Sequence, residues 1–95
     1  MELIVEIFYD VGGRSSHKKR VRPFPGQTYS PSYRVWCSKA LRESKGIGSL
    51  HMVRVSLVHQ PQGDPYLRIG VDEPWIAVSE NDARQFIVAR KKCNA

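Results

Sequence analysis

The sequence predicts a small, mainly β or α+β domain that ends in a helix. Residues 53–57 and 67–71 alternate apolar with polar or small residues, which is the two-residue period of a strand with one buried face. Residues 60–65 supply turn-forming residues between them, and residues 79–92 carry a capped helical pattern. Short strands joined by turns predict a small, strongly bent antiparallel sheet or partial barrel on which the terminal helix packs.

The length and composition indicate one ordinary globular domain. Two domains within 95 residues would each be too small for an adequate core. The chain is 41% hydrophobic and 25% charged, and its net charge is +6. Residues 11–54 hold ten basic residues and a single acid, Glu43. This uneven distribution favours anionic partners, but it does not bear on the fold.

Residues 2–9 form the first predicted strand. Its odd-numbered residues from 3 to 7 are apolar, and Glu2 and Glu6 lie on the opposite face. Ile4 and Phe8 interrupt that polar face, which predicts a strand that is partly covered on both sides.

A basic loop and a proline-rich segment follow the first strand. Residues 14–20 contain no apolar side chain, and we expect a mobile basic loop at residues 12–20. In residues 21–27, two prolines flank Phe24. Because proline cannot donate to a sheet ladder, this segment is predicted to be an edge strand or an extended connector, anchored on the core by Phe24.

Residues 29–44 admit two interpretations. As a helix, the segment would begin with Ser30 as the cap and Pro31 in the first turn, and its apolar residues would share one face. As a strand, residues 33–37 alternate and are rich in residue types that strands favour. The alternatives are therefore a second helix at residues 31–44, which gives an α+β domain, or a strand followed by a helical turn or loop, which suits an SH3-like partial barrel.

The most secure predicted helix covers residues 79–92. Ser79 and Asp82 form a capping box at its start, and we expect residues 93–95 to be frayed. The best strands and this helix also predict the core through their inward-facing positions. The residues predicted to be buried there are Val53, Val55, Leu57, Leu67, Ile69 and Phe86.

The basic residues of the first half predict a surface that binds nucleic acid or another anion. Five cations lie within residues 14–22, and the neighbouring ring of Phe24 could stack on a base while the cations follow the phosphates. No base-reading element is evident, so binding is expected to be weak and sequence-tolerant. Alternatively, the charges only keep an edge strand from pairing with neighbours. The candidate binding residues are Arg14, Lys18, Lys19, Arg20, Arg22, Phe24, Arg34, Lys39 and Arg42, and Lys45 could extend them.

A second class of function is protein–protein interaction or self-association without catalysis. Most large rings in a small domain belong to the core. Trp36, Tyr66 or Trp75, if exposed among apolar neighbours, would instead mark a surface for a partner or for a homodimer. The candidate partners are therefore nucleic acid, an acidic protein or a second copy of the chain.

The sequence contains no motif that predicts an enzyme, a metal site or a cofactor. The three histidines and Cys37 lack the spacing of metal ligands, and the chain has no P-loop and no G-x-S-x-G. We expect Cys37 to be a small core residue, and His51 and His59 to lie on the surface at strand ends. No apolar run is long enough for a membrane span, and acids flank the first apolar run, unlike a signal peptide. These features predict a cytoplasmic protein with free thiols.

Overall fold

The computed structural model of the protein describes residues 1–9 and 19–93, the last three of them by their backbone alone. The predicted mobile loop at residues 12–20, with Arg14 and Lys18, therefore lies outside the described residues except for its last two positions. The described part of the chain contains seven strands and two helices, in the order β1 (Glu2–Tyr9), β2 (Lys19–Pro23), β3 (Val35–Trp36), α1 (Lys39–Glu43), β4 (Leu50–Arg54), β5 (Ser56–Val58), β6 (Tyr66–Arg68), β7 (Trp75–Val78) and α2 (Glu80–Cys93).

The strands divide between two sheets. One is antiparallel and has four strands in the order β2-β1-β4-β7. The other has three strands in the order β3-β6-β5, with β3 parallel and β5 antiparallel to β6. Over the described residues, the two sheets do not close into a barrel. The predicted mainly β domain with a carboxy-terminal helix is confirmed, but its strands form two sheets and not one bent sheet.

Strand β1 lies inside the four-stranded sheet; its odd-numbered face is buried and its other face is partly covered, so the predicted cover on both sides is confirmed. Its odd-numbered residues from 3 to 7 belong to the main core cluster. On the opposite face, Ile4 forms a second cluster with Leu50 of β4 and Ala83 of α2. The main cluster comprises Leu3, Val5, Ile7, Val21, Cys37, Leu41, Val53, Val55, Leu67 and Ile69.

Strand β2 is the edge strand beside β1, as its prolines predicted, and one side chain joins the following segment to β1. The Oε1 atom of Gln27 accepts a hydrogen bond from the backbone N–H of Ile4 at 2.8 Å. Its Nε2 atom donates to the carbonyl oxygens of Ile4 and Phe24, both also at 2.8 Å. These bonds satisfy backbone groups where β2 has ended. The ring of Phe24 packs against the second cluster, which confirms its predicted role as an anchor.

Residues 29–44 contain a short strand followed by a short helix, which is the second of the two alternatives. Backbone carbonyl groups on both sides of Val35 bond to β6 and to the residue after it. The N–H groups of Leu67 and Ile69 donate to the carbonyl oxygens of Arg34 and Trp36, each at 2.9 Å. A helix through this segment would lose those bonds. Helix α1 begins after Ser38, whose Oγ accepts a hydrogen bond from the N–H of Leu41 at 3.3 Å.

The predicted core is confirmed at most positions and is wrong at Leu57, which is 37% exposed. The register pairs Leu57 with the fully buried Leu67, so the two side chains lie on the same face of the sheet. Strand β5 is an outer strand of the three-stranded sheet, however, and only one neighbouring strand, β6, flanks its side chains. Phe86 is half-buried and packs against the second cluster. The predicted core residues that are buried are Val53, Val55, Leu67 and Ile69.

Helix α2 covers the second cluster and contacts the start of β1. The N–H of Asp82 donates to Ser79 Oγ at 3.1 Å, which is the first half of the predicted capping box. Ala83, one helical turn after Ser79, is completely buried. The guanidinium of Arg90 donates to the carbonyl oxygen of Glu2. The carboxy-terminal helix is thus attached to the strand at the centre of the fold.

The Leu57–Leu67 pair allows a controlled test of this packing. Leu67→Ala should lower the free energy of unfolding by about 2–5 kcal/mol, because it leaves a cavity between well-packed neighbours. The same substitution at Leu57 should cost well under half as much, because this side chain is already in contact with water. Urea denaturation of both variants provides the measurement, and equal losses would contradict the described edge position of β5.

Candidate nucleic-acid interface

Basic side chains from β2 and from the region of α1 come together at one corner of the molecule. Helix α1 packs beside β2, and Lys19 Nζ donates a hydrogen bond to the carbonyl oxygen of Lys45 at 3.1 Å. Arg20 and Arg42 both lie close enough to Cys37 for their charges to act on its thiol. We call Lys19, Arg20, Arg42 and Lys45 the basic corner.

One buried side chain anchors the short helix α1, which carries Arg42, to the core. Leu41 is 1% exposed and belongs to the main cluster, which fixes the neighbouring Arg42 at the rim of the core. The Nε atom of Arg42 is buried and has no hydrogen-bond partner among the described residues. Lys39 is exposed three positions earlier, on an adjacent part of the same helix surface.

The thiol of Cys37 lies beneath the basic corner as part of the main cluster. Burial raises the pKa of Cys37 to about 11, although the charges of Arg42 and Arg20 act in the opposite direction. The thiol therefore stays protonated at neutral pH and is a poor nucleophile. Its predicted place in the core is confirmed.

Two of the predicted binding residues make other contacts. Arg22 lies opposite Glu6 in the sheet and forms an ion pair with it, with 2.9 Å between Nη2 and Oε1. Its guanidinium also lies 4.5 Å from the centre of the Phe8 ring. Phe24 packs against the second cluster. We define the basic corner without Arg22 and Phe24.

Three further candidates, Arg34, Trp36 and Tyr66, lie on a second surface, the outward face of the three-stranded sheet. Leu67 points into the core, so its neighbours Tyr66 and Arg68 lie on the opposite face. The register places Trp36 beside Arg68, and the guanidinium lies 5.2 Å from the centre of the Trp36 rings. We call this surface the outer face. Its residues are Arg34, Trp36, Ser56, Val58, Tyr66 and Arg68.

The two tryptophans have different environments. Trp36 is 47% exposed, but its neighbours on the outer face are arginines and not apolar residues. Trp75 is half-buried and packs against the main cluster. Neither therefore meets the condition, exposure among apolar neighbours, under which the sequence predicted a homodimer surface.

His51 lies in the core, contrary to the predicted surface position, whereas His59 is exposed as predicted. His51 is 1% exposed on β4, between Val5 of β1 and Ala77 of β7. The sequence contains the relevant signal, because His51 has the same parity along its strand as the buried Val53. Burial and the nearby charge of Lys45 lower the pKa of His51 from its usual 6.5.

The described residues show no arrangement suited to metal or thiol chemistry. Among them, no three His, Cys, Asp or Glu side chains are grouped so that they could hold a metal ion. Neither ring nitrogen of His51 has a hydrogen-bond partner in this part of the chain, so His51 forms no dyad with Cys37. Within the same residues, no helix has both the length and the apolar character that a membrane span needs.

Comparison of the chain with protein-family models, curated proteins and solved structures gave no match. The functional interpretation therefore depends on the two surfaces themselves. Both are basic, but only the outer face also carries an exposed indole ring.

The buried His51 makes stability depend on pH. Its folded-state pKa lies below the unfolded value of 6.5, so the unfolded chain binds a proton first as the pH falls. The free energy of unfolding should be fully retained above about pH 6.5 and should decrease below it, by at most about 1.4 kcal/mol per pH unit. Urea denaturation between pH 7.5 and 5.5 measures this decrease.

A matched pair of variants assigns the effect to one residue. His51→Leu should remove this part of the pH dependence, because it replaces two buried nitrogens that lack partners by an apolar side chain. His59→Leu makes the same substitution at an exposed site and should retain the wild-type dependence. Identical profiles for wild type and His51→Leu would contradict the described burial.

Proposed function

We propose that the chain is a small binding module that holds the phosphate backbone of a nucleic acid at its basic corner. The supporting observation is the contact between Lys19 and the backbone of Lys45, which joins β2 to the end of α1 and so gathers charges from separate parts of the sequence. Phosphate contacts of this kind dominate nucleic-acid affinity.

The chemistry of the basic corner suits weak and sequence-tolerant binding. Lysine and arginine provide hydrogen-bond donors and charge for phosphate oxygens, but sequence is read by groups that reach base edges. Lys45 is exposed, and an exposed charge contributes little to folding. An acidic protein could contact the same cations, and the test below includes an acidic polypeptide. The SH3-like architecture, the cytoplasmic location and the lack of enzymatic activity stay predictions.

A second candidate function is self-association through β7. This strand, Trp75–Val78, is the outer strand of the four-stranded sheet and contains no charged residue. Ile76 on it is 62% exposed. Uncharged edge strands pair readily with other strands, and two copies could join their sheets about a two-fold axis. Sedimentation at micromolar concentration should then show a dimer that Ile76→Lys dissociates, and a monomeric wild type would exclude it.

The salt dependence of binding tests the main proposal. If about four phosphates are neutralised, log K for a short DNA duplex should fall against log salt with a slope near −3 to −4. Lys19→Ala combined with Lys45→Ala should flatten the slope by about two units, because two phosphate contacts are lost. Fluorescence anisotropy at three salt concentrations gives both slopes.

The control variant removes the same charge elsewhere. Arg54→Ala combined with Arg84→Ala also lowers the net charge by two, at exposed positions outside the basic corner, and should leave the slope nearly unchanged. Equal effects of the two double variants would mean that only net charge matters. No binding near 50 mM salt, or tighter binding of poly-glutamate than of DNA, would contradict the proposal.

A further inference from the structure

We infer that the outer face is a stacking platform for the unpaired bases of single-stranded nucleic acid. This inference rests on the proposed function and specifies the form of nucleic acid that is bound. It depends on the outer face, whereas the phosphate contacts proposed above depend on the basic corner.

The outer face presents aromatic rings and cations in alternation. Trp36 of β3 lies beside Arg68 of β6, and Tyr66 lies two residues before Arg68, roughly 7 Å away along the same face. Trp36 is 47% exposed, so much of its indole ring is open to a ligand. Arg34 is exposed two residues before Trp36.

The chemistry of these side chains fits a nucleotide better than an apolar or an acidic protein. Every base has a π-face that can stack on an indole or phenol ring, and stacking of this kind is sequence-tolerant. The guanidinium of Arg68 lies over the Trp36 ring, 5.2 Å from its centre, so a base that stacks on this face displaces the guanidinium toward the neighbouring phosphate. The strand positions that form the outer face include no acid, so no negative charge among them repels an anion.

Other occupants are less suited to the outer face. The bases of a duplex stack on one another and expose only their edges in the grooves, so a flat platform cannot reach their faces. A second copy bound through this face would place its own Arg34 and Arg68 against those of the first copy, and the like charges would repel. An apolar partner would bury both guanidinium groups without compensation.

The platform and the basic corner are neighbours in the structure. Strand β3, which carries Trp36, contacts β2, and α1, which also contacts β2, begins three residues after Trp36. A single strand could therefore stack a base on Trp36 while its next phosphates lie at the basic corner. In this arrangement the corner supplies affinity for either form of nucleic acid, and the platform supplies the preference for single strands.

The test compares a labelled thymidine oligonucleotide of about 15 nucleotides with a duplex of the same length. Wild type should bind the single strand more tightly. Trp36→Ala should weaken single-strand binding by about tenfold or more and leave duplex binding unchanged, because only the stacking contact is lost. Trp36→Tyr, which keeps a stacking ring, should restore most of the single-strand affinity.

A second variant provides an independent test in case Trp36→Ala does not fold. Arg34→Glu changes an exposed side chain, places an acid on the platform, and should weaken single-strand binding more than duplex binding. Equal affinities of wild type for the two forms, or equal weakening of both by either variant, would overturn the inference. If the corner variant Lys19→Ala with Lys45→Ala still weakens both forms, the proposed function stands without the platform. Binding to neither form overturns both.

Discussion

The fold depends on the burial of β1 on both faces. One face of β1 packs toward the three-stranded sheet, and the other packs under α2 through Ile4. A strand in this position needs hydrogen-bond partners along both edges, and β2 is too short to supply all of them on its side. The side chain of Gln27 binds both backbone groups of Ile4, and the N–H of Phe24 also donates to the Ile4 carbonyl oxygen, so this edge stays hydrogen-bonded past the end of β2. Together with the ring of Phe24, it fixes the end of β2 and thereby the position of the basic side chains at its start.

The same constraint explains why the outer face is open to solvent. The three-stranded sheet uses its inward side, with Leu67 and Ile69, to cover β1, and on its other side Trp36 and Arg68 are exposed. The alternation of side chains along β3 and β6 then directs Trp36, Tyr66 and Arg68 outward. The exposed rings and cations are thus a consequence of the layer order. A stacking ligand would use the rings and the cations of this face together.

The sequence predicted the parts of the fold that local rules determine. The bounds of β1, the proline-rich edge strand and the Ser79 cap follow from alternation, the missing proline donor and capping chemistry. Long-range pairing decides the rest. Alternation gives the face of Leu57 but cannot show that β5 is an outer strand, and residues 29–44 have a strand because β6 supplies its hydrogen bonds. The basic cluster was visible as composition, whereas the outer face required the register of β3 on β6.

The central claim is that one nucleic-acid strand contacts the outer face and the basic corner together. Nuclear magnetic resonance of isotope-labelled protein tests it most directly, because the two indole N–H signals report on different places. During titration with a thymidine oligonucleotide, the Trp36 indole signal and the amide signals of residues 42–45 and 66–68 should shift together. The indole of Trp75, packed against the main cluster, should stay unchanged and serves as the internal control. Shifts confined to β7, or an unmoved Trp36 signal at saturation, would contradict the account.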